Sequence, residues 1–203
     1  MHSVFGKILQ GTTYMFAAFL ALAAISARAD EVNPALRPPK GAQTAVVVFE
    51  DLQCPQCRNT SPIVREAGKT YKIPIVIHDF PLPMHSWSFD AAVTAHYFDA
   101  QSKELGYAYR DYIFEHQPEI TPGNLRSFSD KFAAEHKLAL PFVIDPQGKF
   151  TAEVNAEKDL GNRIGIHQTP TLYVVSSKPQ GKPYVEVTDR TQLYQIIDAM
   201  KKQ

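Results

Sequence analysis

The chain has 203 residues, of which 44% are hydrophobic and 21% are charged, and its 21 basic residues balance its 21 acidic residues. This length and composition fit a globular protein with one domain and a sizeable core. The sequence has no basic tract that would indicate nucleic-acid binding. Its two cysteines are too few for a small secreted protein held together by several disulfides.

The first 29 residues have the pattern of a secretory signal peptide. Lys7 supplies a positive charge, residues 14–25 form an unbroken apolar run, and Ala27-Arg28-Ala29 has the small residues of a cleavage site. The run is shorter than the roughly 20 apolar residues that a membrane-spanning helix needs. We therefore expect cleavage after Ala29 and a periplasmic or other extracytoplasmic location, or a membrane anchor if the segment is not cleaved.

The next part of the chain leads into a buried strand. Residues 30–43 are rich in proline, and we interpret them as an irregular leader that is too short for a separate domain. The main domain is predicted to span residues 44–203. It begins with a short, β-branched apolar run at 45–49, which is typical of a buried strand.

Both cysteines follow that strand, in the sequence Cys54-Pro55-Gln56-Cys57. Pro55 suits the first turn of a helix, where a missing N–H costs nothing, and this helix is predicted to reach about Tyr71. The unpaired N–H groups at a helix start favour an anion, so Cys54 is the expected exposed, reactive thiolate. Cys57 lies one turn further along, so it can close a disulfide with Cys54 and is expected to be more buried.

Two other interpretations of the cysteine pair remain open. The pair is a possible half of a zinc site, although the sequence offers no second cysteine pair and no His-x3-5-His motif. The pair is also a possible structural disulfide, although so short a loop constrains the unfolded chain little. A redox-active dithiol explains the spacing best.

The remaining elements follow from hydrophobic periodicity and from turn residues. Pro62 predicts a kink or break in the first helix near Ser61, and Thr121-Pro122 predicts the start of a later one. His96 lies on an apolar helix face and is expected to be a packed core residue. The predicted elements are a strand at 73–78, helices within 87–137, a strand or linker at 142–148, a helix at 151–164, strands at 172–175 and 184–187, and a helix at about 193–200.

This order of elements resembles the DsbA-like branch of the thioredoxin superfamily, a resemblance that covers about residues 46–200. The motifs that carry it are Phe49, Asp51, Cys54-Pro55-Gln56-Cys57, Asp79-Phe80-Pro81-Leu82, Asp111-Tyr112-Ile113-Phe114 and Thr169-Pro170-Thr171. The resemblance implies an α/β protein with a thioredoxin fold and a helical subdomain inserted at about 84–140. It also implies dithiol–disulfide exchange without a metal or an organic cofactor.

The resemblance also assigns roles to residues of the site. Cys54 and Cys57 are the implied catalytic residues, supported by Pro55, Gln56, Thr169 and Pro170. Pro170 is implied to follow a cis peptide bond opposite the cysteines. The backbone of Thr169 is implied to pair with a substrate strand and to direct the substrate sulfur toward Cys54.

The implied partners are exported proteins with cysteine pairs, together with a quinone-linked membrane oxidase that reoxidises the dithiol. The chain is expected to act as a monomer and to oxidise its substrates. A reductase or isomerase is the alternative, although isomerases of this superfamily usually carry an N-terminal dimerisation domain that residues 30–43 do not supply. A non-enzymatic, thiol-dependent module that binds metal or peptide is the alternative from another class.

The sequence departs from the family pattern at two places beside the dithiol. Many members carry a carboxylate six residues before the first cysteine as a proton acceptor, and here this position is Val48. Glu50 and Asp51 are the nearby residues expected to substitute for it through water. Gln168 stands where many members have glycine, next to His167, so a polar rim is expected around the site.

Overall fold

A computed structural model describes residues 34–178 and 180–203. The predicted signal peptide, residues 1–29, lies outside these residues, as does the start of the leader. Residues 35–203 form one compact unit. None of the helices within the described part of the chain is both long and apolar enough to span a bilayer.

The described residues form one mixed sheet with the strand order β2-β1-β3-β4. Its strands are β1 (Thr44–Glu50), β2 (Ile75–Asp79), β3 (Thr171–Ser176) and β4 (Tyr184–Glu186). β2 runs parallel to β1, whereas β3 runs antiparallel to both β1 and β4. Every residue of β1 is buried. This central position explains why its sequence is continuously apolar up to Glu50 instead of alternating with polar residues.

Six α-helices surround this sheet in the described part of the chain. They are α1 (Pro55–Tyr71), α2 (Ser88–Gln101), α3 (Lys103–His116), α4 (Leu125–Glu135), α5 (Lys149–Arg163) and α6 (Leu193–Lys202). Val64 of α1 and Ile197 of α6 share one core with β1 and β3. The strands and intervening helices confirm the predicted α/β class.

Helices α2, α3 and α4 build a separate aromatic core. Phe98, Tyr109 and Phe132, one from each helix, are almost fully buried against each other. Their ring centroids lie 4.8–5.2 Å apart, within the range of favourable aromatic pairs. Cys54 and Cys57 belong to the same buried cluster. The helical region therefore packs directly against the dithiol.

Three details of the chain differ from the sequence prediction or resolve it. α1 runs through Pro62 without the break expected near Ser61. Pro62 lies on the exposed side of this helix. Residues 142–148 form turns and bends and no strand, which resolves the choice between a strand and a linker. Leu36 of the leader is buried against the sheet, so the leader contributes to the core.

The predicted helix start at Thr121-Pro122 was wrong, because α4 begins only at Leu125. The Thr121 N–H donates to Asn124 Oδ1 at 2.6 Å. Asn124 Nδ2 donates to the carbonyl of Glu119 at 2.9 Å. These side-chain bonds hold the segment in a turn and so delay the helix.

Candidate active site

The cysteine motif lies at the start of α1, as the sequence predicts. Cys54 is the N-cap residue with an extended backbone, and Pro55 is the first helical residue. Both cysteines are free thiols, 6% exposed for Cys54 and 1% for Cys57. The expectation that Cys54 is exposed was wrong for this state, because Leu52, Trp87 and other core residues pack around it. Cys54 is nevertheless the more accessible of the two cysteines, as expected.

The surroundings of Cys54 favour its thiolate. A hydrogen bond from the Cys57 thiol is the main cause that lowers the pKa of Cys54 to about 5. Burial opposes this shift, while Thr169 and the backbone N–H groups of Gln56 and Cys57 support it. In the thiol form, Cys54 Sγ donates to the Thr169 carbonyl at 3.3 Å. The N–H groups at the helix start therefore add to the effect of the Cys57 thiol, as expected from the sequence.

The surroundings of Cys57 favour the neutral thiol. Burial is the main cause that raises the pKa of Cys57 far above its usual value, followed by its hydrogen bond to Cys54 and the charges of Cys54 and Glu50. Its sulfur accepts a hydrogen bond from the backbone N–H of Asp51 at 3.4 Å. The two thiols of one motif therefore hold their protons very differently, as an attacking thiol and a resolving thiol require.

The Thr169–Pro170 peptide bond is cis, which confirms that prediction. Pro170 and Cys57 line the same small cavity. The Thr169 carbonyl contacts Cys54 directly. His167 and Gln168, which precede this bond, are exposed, in agreement with the expected polar rim.

The Gln56 side chain is directed toward Arg190. Its Oε1 atom accepts a hydrogen bond from Arg190 Nη1 at 3.2 Å. No hydrogen bond joins the Gln56 side chain to Cys54 in the part of the chain that the structure describes. Residue 56 supports the thiolate through its backbone N–H instead. Arg190 was not anticipated, because nothing local in the sequence relates it to the motif.

Asp51 organises the loop that leads into the motif. Its carboxylate accepts the N–H of Gln53 at 2.8 Å, the N–H of Leu82 at 2.7 Å and the Ser88 hydroxyl, and it contacts His85 Nδ1 at 2.7 Å. These bonds join the loop before Cys54 to the segment after β2. Asp51 and Leu82 belong to two of the motifs that carry the family resemblance. The hydrogen bond between them connects these motifs, although the two residues are 31 positions apart in the sequence.

Gln117 fixes the same loop from the side of the helical region. Its Nε2 atom donates to the Leu52 carbonyl at 2.8 Å and to the Cys54 carbonyl at 3.1 Å. The side chain is buried, and it satisfies two carbonyls that leave the sheet. This role was not predicted, because a single glutamine among helices carries no signal for a contact 63 residues away.

Glu50 is a buried carboxylate beneath the resolving thiol. It lines a cavity of about 10 Å³ together with Cys57 and Pro170. Arg110 Nη1 of α3 lies 3.9 Å from Glu50 Oε1, which has no hydrogen-bond partner among the described residues. Burial raises the pKa of Glu50 to about 7, although the Arg110 charge opposes that shift. Val48, where many relatives have their carboxylate, is buried in the core beside it.

Comparison with solved structures shows the fold to which this arrangement belongs. The chain superposes on a variant of alpha-DsbA1 from Wolbachia pipientis with a TM-score of 0.68 and 16% identity, over 84% of this chain and 95% of that chain. A periplasmic thioredoxin-like protein from Salmonella enterica serovar Typhimurium gives 0.64 and 18%, over 84% and 93%. The catalytic domain of ScsC from Proteus mirabilis gives 0.63 and 16%, over 91% and 98%.

The curated relatives that match in sequence are much longer proteins. Na(+)/H(+) antiporter NhaA 3 from Salinispora tropica is 25% identical over 151 residues, which are 73% of this chain and 22% of the antiporter. NhaA 1 from Salinispora arenicola is 24% identical over 74% of this chain and 23% of its own length. The chain thus spans about a fifth of the length of these relatives.

The match to a protein family covers most of the described domain. A family model described as Thioredoxin matches residues 39–198, which include the cysteine motif, the helical region and the cis-proline. The strand order, the dithiol at the start of α1 and the cis bond before Pro170 agree with this match. The chain therefore belongs to the thioredoxin family, and its fold is that of the DsbA-like proteins.

Proposed function

We propose that the chain is a thiol:disulfide oxidoreductase that oxidises cysteine pairs of exported proteins. The observation that carries this proposal is the contrast between its two thiols: the pKa of Cys54 is about 5, whereas that of Cys57 is raised. A stabilised Cys54 thiolate is a good leaving group and favours the reduced form of the protein. A dithiol that is stable when reduced makes its disulfide an oxidant.

The proposed reaction starts from the Cys54–Cys57 disulfide. A substrate thiolate attacks the Cys54 sulfur, the Cys54–Cys57 bond breaks, and Cys57 leaves with the electron pair and takes up a proton. The second cysteine thiolate of the same substrate then attacks the substrate sulfur of the mixed disulfide, and Cys54 leaves as a thiolate. The substrate has lost two electrons and gained a disulfide, and the protein holds the dithiol.

Glu50 is the proposed proton donor and acceptor for Cys57. It has a pKa of about 7, is buried beside Cys57 and has a free acceptor atom, so it can hold or release a proton near neutral pH. The cavity that the two residues share has about the minimum volume that one bridging water needs. Asp51 is less suited to this role, because four donor groups already occupy its carboxylate.

Thr169 and Pro170 are the proposed substrate-positioning residues. The Thr169 carbonyl is 3.3 Å from Cys54 Sγ in the reduced protein. A substrate backbone that pairs with residue 169 would therefore bring its sulfur close to Cys54. Pro55 and Gln56 support the site by forming the first turn of α1, whose N–H groups stabilise the thiolate.

The proposed location is extracytoplasmic, in keeping with the signal pattern of residues 1–29 and with the periplasmic relative from Salmonella enterica. The proposed partners are exported proteins with cysteine pairs and a quinone-linked membrane oxidase that restores the disulfide. We propose a monomer as the working form. Sedimentation of the reduced and oxidised protein tests that state.

Oxidation of a two-cysteine peptide tests the function. The disulfide form of the protein should oxidise the peptide stoichiometrically in glutathione-free buffer, and its potential should be more oxidising than that of glutathione. A potential well below that of glutathione would support the reductase or isomerase alternative instead. Failure to exchange disulfides with any thiol, together with metal binding by the reduced cysteines, would support the non-enzymatic module.

A further inference from the structure

A second cluster of ionisable side chains lies at the end of β2, away from the dithiol. Asp79 is the last residue of β2, His96 lies on α2, and Glu157 lies on α5. One potential ligand atom from each of these residues lies within 4.8 Å of the other two. The Asp79 side chain is 1% exposed, that of His96 is 11% and that of Glu157 is 23%. Three separate elements therefore converge on one partly enclosed point.

The two contacts of His96 Nε2 in this cluster are longer than the usual hydrogen bond. His96 Nε2 is 3.2 Å from Asp79 Oδ2 and 3.6 Å from Glu157 Oε2. The usual N–H···O separation is about 2.9–3.0 Å. His96 Nε2 is buried and has no hydrogen-bond partner of good geometry among the described residues. Ligand atoms around tetrahedral zinc, with bonds of about 2.0–2.2 Å, lie roughly 3.3–3.6 Å apart.

The outer contacts orient the three side chains toward the same point. His96 Nδ1 is 3.0 Å from Glu153 Oε2, a pairing that directs Nε2 toward Asp79 and Glu157. Histidines that bind metals usually donate their other N–H to a carboxylate in this way. The backbone N–H of Asp79 donates to Glu157 Oε2 at 2.6 Å. Arg110 donates to both Asp79 oxygens at 2.7 Å, and each oxygen keeps a further acceptor position.

A cavity of about 270 Å³ reaches this cluster. His96, Asp99, Arg110 and Glu157 belong to its lining. The cavity gives an ion a way in and leaves room for a solvent ligand. The carboxylates of Asp79, Glu153 and Glu157 all approach His96. The other basic groups beside them are Arg110, which is paired with Asp79, and His78, whose Nδ1 atom is 3.5 Å from Glu157 Oε1.

We propose that Asp79, His96 and Glu157 bind a divalent transition-metal ion such as Zn²⁺, with solvent as a further ligand. An imidazole with two carboxylates suits zinc, whereas Ca²⁺ and Mg²⁺ prefer sites made of oxygen ligands alone. The ion joins β2 to α2 and α5 and is independent of the dithiol chemistry.

The test uses the full chain in its disulfide form, because the oxidised cysteines then offer no thiolate ligand. Zn²⁺ is titrated calorimetrically into metal-free protein. We expect one ion per chain and a higher melting temperature with zinc. Binding that needs reduced cysteines, or no binding at all, would overturn the proposal.

Variants locate the ion. His96→Gln and Glu157→Gln should each weaken zinc binding at least tenfold, and Glu153→Gln should weaken it by about 10–100-fold, as is typical of an outer-shell partner. His116→Gln is the matched control, because the exposed His116–Glu119 pair is another histidine–carboxylate contact, at 3.4 Å, and its loss should change nothing. Equal affinity in the wild type and in His96→Gln would refute the site.

A spectroscopic measurement on the unaltered chain does not depend on whether the variants fold. Co²⁺ bound to the disulfide form should show the visible bands of a four- or five-coordinate ion and no thiolate charge-transfer band. The weak spectrum of an octahedral, hydrated ion would contradict the proposed ligands. Addition of Zn²⁺ should abolish the cobalt bands, and bands that persist would count against a shared site.

Discussion

Two adjacent carboxylates lie at the end of β1 in opposite surroundings. Asp51 faces the loop before the dithiol, where two backbone N–H groups, a hydroxyl and an imidazole contact its oxygens. Glu50 faces the interior between the sheet and α3, where Arg110 stays 3.9 Å away and no described group donates to Oε1. Successive residues of an extended chain point to opposite sides, which separates the two environments.

The hydrogen-bond partners of a buried carboxylate, and not its residue type, decide what it does. Hydrogen-bond donors occupy the acceptor positions of Asp51, so this carboxylate holds two loops together. Burial with few donors raises the pKa of Glu50 to about 7, so this group can change its charge in the neutral range. Asp51 is therefore assigned a structural role and Glu50 a role in proton transfer.

The largest expected effect comes from the dithiol that both carboxylates flank. Cys54→Ser should abolish oxidation of a two-cysteine peptide, because the attacked sulfur is gone. Cys57→Ser should instead accumulate a mixed disulfide with thiol substrates, visible by mass spectrometry without reductant. Peptide oxidation that survives in Cys54→Ser would exclude Cys54 as the reactive residue.

Replacement of Asp51 tests whether this carboxylate stabilises the fold. Asp51→Ala should lower the free energy of unfolding by about 3 kcal/mol, because buried donors lose their acceptor. Asp111→Ala is the control, since the Asp111 side chain is 54% exposed and its ion pair with Arg65 should contribute at most about 1 kcal/mol. Urea unfolding of both variants measures the difference. A loss for Asp51→Ala no greater than for Asp111→Ala would remove the special role of Asp51.

Replacement of Glu50 tests whether this residue titrates in the neutral range. The folded pKa of about 7 lies above the unfolded value of about 4.5, so the wild type binds the extra proton in its folded state. This contribution to stability is complete below pH 4.5 and is lost as the pH rises through 7, by roughly 3 kcal/mol in total.

Glu50→Gln should lack this pH dependence. Urea unfolding of the disulfide form at several pH values measures it without interference from the thiols. The stability of the wild type should fall relative to the variant between pH 4.5 and 7. Parallel curves over this range would show that Glu50 does not titrate as described.

The smallest effect concerns Gln56. The Gln56 side chain contacts Arg190. In Gln56→His, an imidazole that turns from Arg190 toward Cys54 would place a donor that can carry charge beside the thiolate, and should raise the reduction potential by something on the order of 30 mV. Gln56→Met is the control, because the supporting N–H of residue 56 belongs to the backbone and should leave the potential unchanged. Equilibration with graded glutathione buffers gives both values, and an equal or lower potential for Gln56→His would reject the idea.

The sequence predicts the parts of the fold that depend on local patterns. The buried strand β1 and the helix that starts at Pro55 each follow from a short pattern, and the cis bond before Pro170 follows from the family resemblance that the Thr-Pro motif carries. The start of α4 was missed, because the turn there depends on the side chain of Asn124. A capping pattern of threonine and proline does not reveal this competing hydrogen bond.

The supporting residues of the site were harder to predict, because they act over long separations. Gln117 holds the Cys54 loop across 63 residues, and Arg190 reaches Gln56 across 134. The sequence raised Glu50 and Asp51 as equal substitutes for the carboxylate absent at Val48. Only the burial and the partners of each one separate them.

The proposed oxidase activity depends most directly on the protonation state of Cys54, and the alkylation rate of Cys54 as a function of pH measures that state. The reduced protein is reacted with iodoacetamide from pH 3 to pH 10, and the labelled residue is mapped by mass spectrometry. We expect the label on Cys54, with the rate rising to a plateau around a midpoint near pH 5. A midpoint near the value of about 8.5 for a free cysteine, or preferential labelling of Cys57, would contradict the proposed oxidant.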